Sequence, residues 1–441
     1  ELVYLWAITP ITSLRSAVLA VAQGSTVTRS NFMKHHIQYS CLLALLFSAA
    51  SQAAPGQLPP IPEGDTFVPY VYGGFGYDDN VLRVASDQEA LALTGTTDTE
   101  DTISRYGAGL RVKMPVSLQM LRLDVAVEQV DYHQFDTLDH VAANALAAWD
   151  WEVGRLFDGL LSHHYRRDIS NYSEFQQTLR DVRDINITHF DGGFDFLRSW
   201  FFQLGGEHRD VAYDEQDFLD RTEEMEFAEL DYRTTVNTHL GLRAQFTQAD
   251  LEPRPSPTGG SINFDYEDRT YSVVAGWEGS AASYLTGRLG YTERESDDPA
   301  GPYFQGTTGE LVYLWAITPI TSLRSAVYRR ANSRDYQIAS FVITTGAALR
   351  PEIEITPDTT LSGHVAYEQD DYEGVVREPD GSVASAAGRE DDVTRAGLNL
   401  TWSALLGLYL SLGVEYGERD SNENDSDYDY SQVLAEVTYA F

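Results

Sequence analysis

Polar and apolar residues alternate one by one along most of this chain. Near the C-terminus, Leu406, Leu408, Leu410, Leu412, Val414 and Tyr416 interleave with Gly407, Tyr409, Ser411, Gly413, Glu415 and Gly417. The same period of two recurs at Leu121, Leu123, Val125 and Val127 against Arg122, Asp124, Ala126 and Glu128, and at Leu240, Leu242, Ala244 and Phe246 against Gly241, Arg243 and Gln245. It returns at Leu361, Val365 and Tyr367 and at Ala396, Leu398, Leu400 and Trp402. Period two places alternate side chains on opposite faces of a strand, so each segment has one apolar and one polar face. About eighteen such segments can be counted, each near the nine to eleven residues of a tilted membrane-crossing strand.

The connections alternate as well. Short turns at 114–118, 279–283, 318–322, 356–360 and 404–406 are interleaved with polar loops at 84–101, 250–261, 296–306, 373–392 and 420–427. Short turns at one end and long loops at the other are the habit of outer-membrane barrels. A sheet in lipid must also close on itself, because an open edge would leave backbone groups unsatisfied. The expectation is therefore an all-β, transmembrane, antiparallel up-and-down barrel of about 18 strands, closed, with short periplasmic turns and long acidic extracellular loops. An even strand number puts both termini in the periplasm.

The N-terminal region reads differently. Residues 33–53 have the form of a secretory signal: Lys34 and two histidines, an apolar run from Cys41 to Ala50, and the small-x-small site Ser51-Gln52-Ala53. Upstream, residues 1–18 repeat residues 310–327 letter for letter. Repeats kept for structure drift in sequence, so this identity points to a recent duplication, a cloning scar or a mistaken gene start, and residues 1–32 are set aside as a spurious or duplicated extension. The expected organisation is then 33–53 signal peptide, 54–63 periplasmic linker and 64–441 barrel.

Composition narrows the function. There are 67 acidic and 31 basic residues, a net charge of −36, and 26 tyrosines. Such a chain has no basic surface for phosphates, so no nucleic-acid partner is expected. Most acids fall in the loops and adjoining strand ends, giving a strongly anionic outer mouth. The only cysteine, Cys41, lies in the signal, so no disulfide holds the mature chain. Trp149, Trp151, Trp277, Trp315 and Trp402 near strand ends fit interfacial girdles. If the apolar faces meet lipid, then Arg105, Arg111, Lys113, Arg122, Asp124, Glu128, Arg243, Arg288, Arg324 and Arg395 line the lumen, where charged rings set selectivity. Internal pairing is expected for most of them, with a few left for solute. Tyr followed by mixed Arg and acid recurs at the loop-ward strand ends, as at Tyr165-Arg166-Arg167-Asp168 and Tyr416-Gly417-Glu418-Arg419-Asp420, and marks an extracellular rim.

Tyr77-Asp78-Asp79-Asn80-Val81-Leu82-Arg83 at the top of the first strand, followed by hairpins with Tyr-Arg-Arg-Asp ends, resembles the EpsL-type outer-membrane barrels of bacterial exopolysaccharide biosynthesis and export operons, within a broader group of β-barrel porins. The resemblance covers residues 60 to 441. It implies a non-enzymatic conduit or accessory barrel for exopolysaccharide export. Its partners would be secreted polysaccharide, periplasmic or outer-membrane export components and a lipid bilayer with lipopolysaccharide. Asp78, Asp79, Asn80, Tyr165, Arg167, Asp168 and Arg419 would form the rim. Phe441, the aromatic end of an amphipathic last strand, resembles the signal read by the barrel-assembly machinery. The alternative is a general or substrate-selective diffusion porin, or a structural barrel.

Enzyme chemistry finds little footing. Ser162 and His164 share one face of a strand, but residues two apart do not meet easily, and no orienting third group or oxyanion site accompanies them. The other histidines, 133, 140, 163, 189, 208, 239 and 364, lack zinc spacing. No cofactor is expected. Acidic runs such as Asp297-Asp298 and Glu390-Asp391-Asp392 could hold divalent cations, though without the ligand order of a calcium loop. The anionic mouth would repel polyanions, so a neutral or cation-bridged polysaccharide is the expected cargo.

Overall fold

The computed structural model describes residues 66–154, 156–170, 180–234, 238–255, 261–296, 303–332, 341–373, 375–377, 383–385, 388–423 and 426–441. Residues 1–65, with the duplicated segment, signal and linker, lie outside the described residues, as do Asp297 and Asp298. The later copy of the duplicated sequence, 310–327, forms most of a barrel hairpin.

Alternation becomes strand almost everywhere it was read. In chain order the wall consists of β1 (Phe67–Asp78), β2 (Asp101–Val116), β3 (Gln119–Tyr132), β4 (His140–Val153), β5 (Phe157–Ile169) and β6 (Val182–Leu197). Next come β7 (Trp200–Tyr213), β8 (Arg221–Arg233), β9 (His239–Leu251), β10 (Tyr266–Ser280), β11 (Ser283–Ser296) and β12 (Phe304–Thr318). The circuit ends with β13 (Thr321–Asn332), β14 (Phe341–Thr356), β15 (Thr359–Glu373), β16 (Glu390–Leu405), β17 (Leu408–Ser421) and β18 (Tyr428–Ala440). Every strand pairs antiparallel with its sequence neighbours in one 18-stranded sheet, and β1 also pairs with β18, which closes the barrel. Closure leaves no edge, the condition for a sheet in lipid.

Tight turns link β2 to β3, β10 to β11, β12 to β13, β14 to β15 and β16 to β17; left-handed Ser117 and Gly407 serve two of them. The opposite end carries the long connections, two of which hold short two-stranded ribbons.

A barrel wall is one layer thick, so any side chain it shields from solvent must point inward. By that test the two faces separate cleanly. Phe75, Leu242, Leu289, Leu398 and Val414 are exposed outside, whereas Arg111, Asp124, Glu229 and Glu436 are buried inside. Trp149, Trp277, Trp315 and Trp402 are outward near the tight turns, and Trp149 donates from Nε1 to Gln119 Oε1 at 2.8 Å. Inner aromatics settle onto glycines of the next strand. A Cβ on Gly109 or Gly107 would lie 2.3 or 2.6 Å from the rings of Tyr70 and Tyr72, so only glycine admits those rings there.

Candidate functional site: the lumen wall and the mouth

Cross-strand neighbours on the inner face carry opposite charge again and again. Arg111 stands in register with Asp124, and their Nε–Oδ2 distance is 3.1 Å. Tyr70 adds a hydroxyl bond to the same carboxylate at 3.3 Å. Arg122 pairs with Asp150 at 3.0 Å, Arg105 with Glu128 at 4.0 Å, and Arg243 with Glu229 at 3.3 Å over the ring of Phe227. Arg395 is ion-paired to Glu368, which also accepts from the Tyr328 hydroxyl at 2.6 Å. Arg288 donates to Gln245 at 3.3 Å. Arg324 stands in register with Arg350, two like charges on adjacent strands. Lys113 follows the inward alternation but is exposed near the tight-turn end.

Several lumen groups were not singled out from the sequence. His189 lies between Asp191 (3.0 Å) and Glu207 (3.8 Å), and Arg209 bonds Glu207 at 3.1 Å. Arg294 makes a two-pronged pair with Asp268. Parity along β6, β7, β10 and β11 could have found them, since each shares the inward phase of its strand. Glu415 and Glu436 are also inside; Glu415 bonds His364 at 3.1 Å and Tyr430 at 2.8 Å. Ser162 faces inward opposite His189, but both ring nitrogens of that histidine are directed at carboxylates. His164 is bonded to Asn144 at 2.7 Å. Nothing in this set supplies a nucleophile, base and oxyanion site together.

At the mouth, the loop after β1 turns inward. Asp78 accepts from the Asn80 amide at 2.9 Å, from both Arg83 Nη atoms at 2.9 Å, and from Gln432 on β18. Asn80 bonds Val84 in both directions and reaches Asp429 O at 2.9 Å. Arg83, in left-handed backbone with φ 55°, lays its guanidinium on the inward ring of Tyr430 at 3.8 Å. The motif at 77–83 therefore staples the seam where first and last strands meet. Beyond it, Val81, Leu82, Val84 and Ala90 of the loop pack with Phe135, Leu138 and Ile169, and with Tyr132 at the top of β3. Ala90 belongs to a short helix, α1 (Asp87–Thr94), capped by Ser86 and Gly95. Leu82 is fully buried there, so the loop crosses from the seam to β3 and β5 and narrows the entrance.

The adjoining loops are pinned by buried acids. Asp101 accepts from the amides of His133, Gln134 and Phe135. Asp181 plays that part for 214–220, accepting from the Glu215 amide and the Gln216 side chain; its burial pushes the carboxyl above the ordinary range against those bonds.

The rim residues divide between two faces. Asp78, Asn80 and Asp168 are buried inside, Asp168 held by Arg166 at 2.8 Å and facing His140 at 3.3 Å. Arg419 is buried as well, donating to Ser426 O at 2.8 Å and lying 3.8 Å from Asp391. Tyr165 and Arg167 alternate outward and converge on Asp184, at 2.8 and 2.5 Å, with Arg167 reaching Asp214 too. Asp79 accepts from the Ser431 amide at 2.6 Å. Phe441 continues β18, donating from its amide to Pro69 O at 2.9 Å and packing on Tyr439. Within Glu390-Asp391-Asp392, Asp391 is engaged by Arg389 and Arg419, and no metal-binding cluster occurs among the described residues.

A closed, lipid-belted barrel with a charged, internally paired lumen and an inturned loop is a porin-like protein of the outer-membrane type. Residues 66–441 match the family described as Putative beta-barrel porin 2, and the chain belongs to that family. No curated protein sequence matches it. Among solved structures it is similar to the outer membrane protein OpdK of Pseudomonas aeruginosa (TM-score 0.45, 11% identity, 86% of this chain and 99% of that one). It is also similar to OccK2 (OpdF) of Pseudomonas aeruginosa in complex with glucuronate (0.44, 12%, 86% and 98%). A third is the siderophore receptor PirA of Pseudomonas aeruginosa (0.43, 10%, 87% and 81%).

Proposed function

We propose that this protein is a non-catalytic diffusion channel of the outer membrane, selective for small polar solutes. The carrying observation is the inner wall: cations and anions alternate from strand to strand and largely satisfy one another. Such a surface is wetted without presenting a single-sign field, and the loop at 79–100 sets the width of its entrance. Solute passing the wall exchanges hydrogen bonds with it. In planar bilayers the purified barrel should conduct ions in discrete steps, and liposomes containing it should swell in small sugars. Arg83→Ala, which frees the loop from Asp78 and Tyr430, should raise single-channel conductance about twofold; conductance unchanged by that substitution would remove the loop from the entrance. A barrel that neither conducts nor swells liposomes would overturn the channel reading.

The EpsL-type resemblance supports a second reading, a conduit or accessory barrel for exopolysaccharide export working with periplasmic or outer-membrane export components. Its leading motif closes the barrel seam, which accounts for Tyr77 to Arg83 by architecture and leaves cargo to be tested. A neutral oligosaccharide that blocks conductance would favour export, and indifference to it would favour the simple channel. In either reading we place residues 33–53 as a signal, 54–63 as a periplasmic linker and Phe441 as the mark for the assembly machinery in a Gram-negative outer membrane. Acidic loops would face lipopolysaccharide, with divalent cations as bridges.

A further inference from the structure

The outer wall should be apolar all round, yet one sector is not. On the outward face, His163, Thr188, His208, Glu224 and Gln248 stand in register across β5 to β9. His163 Nδ1 and Thr188 Oγ1 are 2.9 Å apart, and His208 lies 3.4 Å from Glu224 with side chains 52% and 67% exposed. One step toward the tight turns, Glu226 occupies a row with Phe190, Gly206 and Phe246, all in the apolar belt. Glu226 is exposed, and no hydrogen bond or ion pair reaches its side chain among the described residues.

A bare carboxylate in that belt is destabilising against lipid. We propose that this stripe is a contact face for a second copy of this chain. The complementarity is internal to the stripe. Imidazole donors lie at the β5 end and the acceptor Glu226 lies at the β8 end, at matching heights above the tight turns that precede β5 and follow β8. A twofold axis along the membrane normal between β6 and β7 therefore sets His163 of each copy against Glu226 of the other, and Thr188 against His208. Gly206, with no side chain, lets the walls approach at the centre of the face. Twofold contacts of one patch with itself are the commonest arrangement in oligomers.

The test uses the full chain in lipid with Cys41→Ser, which removes the only cysteine. Thr188→Cys should give a covalent dimer on oxidation in membranes, whereas Ala396→Cys, at the equivalent position on β16, should not. Adding Glu226→Leu should reduce the Thr188→Cys cross-link at least tenfold while the barrel keeps its heat-dependent shift on gels, which reports folding independently of association. Cross-linking that is absent, equal at both positions, or unaffected by a Glu226→Leu change that raises thermal stability would mean that the stripe faces lipid, and would overturn the proposal.

Discussion

Two sectors of the outer wall, β4–β8 and β14–β18, run in the same directions and share the same tight-turn end, yet their middles differ. At matching positions the first presents Ala147, His163, Thr188 and His208, and the second Leu349, Val365, Ala396 and Tyr416. One row lower, Glu226 corresponds to Val433 at the end of the row Gly363, Leu398, Val414. The second sector is what lipid demands: an apolar belt topped by tyrosines whose hydroxyls rise to carboxylates, as Tyr367 does to Asp392 and Tyr416 to Glu418. The first begins its polar region earlier. Alternation alone, therefore, says which side chains point outward but not what they meet there.

Inside, the same two sectors contrast in redundancy, which sets the largest expected effect. Arg395→Ala takes the cation from Glu368, a buried carboxylate left with only the neutral Tyr328 hydroxyl, and should cost about 3–5 kcal/mol. Arg209→Ala leaves Glu207 with His189 and should cost less than half as much. Urea unfolding from bilayers would measure both, and equal losses would erase the contrast. Outside, Leu398→Arg should cost about 2–4 kcal/mol in the apolar sector, whereas Thr188→Arg, among polar neighbours, should cost about 0–1 kcal/mol. A similar penalty at both sites in monomeric barrels would make the two belts equivalent. The smallest change is expected at Tyr165→Phe, about 0.5 kcal/mol, because Arg167 still holds Asp184 when the hydroxyl is gone.

Much of the fold could be read from the chain. Alternation gave strands, their inward and outward residues and the tryptophan belt, because a strand's period of two is local and lipid enforces it. The inward phase of Arg111, Arg122, Asp124 and Arg243 was legible for that reason, and so was the expectation that most would pair. Their partners were less so: Asp150 and Glu229 are chosen by register between strands. The rim was legible in part. Tyr165, Arg167 and Asp168 divide by the alternation of β5 and Asp78 keeps the inward phase of β1, whereas Asn80 goes inside because the loop bends there.

By itself, then, the sequence determined a lipid-belted barrel, because alternation and turn length are short-range properties that few other folds can satisfy. Only the tertiary structure decided that Asp78 and Arg83 would meet Tyr430 and Gln432 across the closing seam. Only there, too, do His163, Thr188, His208 and Glu224 form one stripe. Closure and register bring together residues far apart in the chain, and no local pattern carries that information.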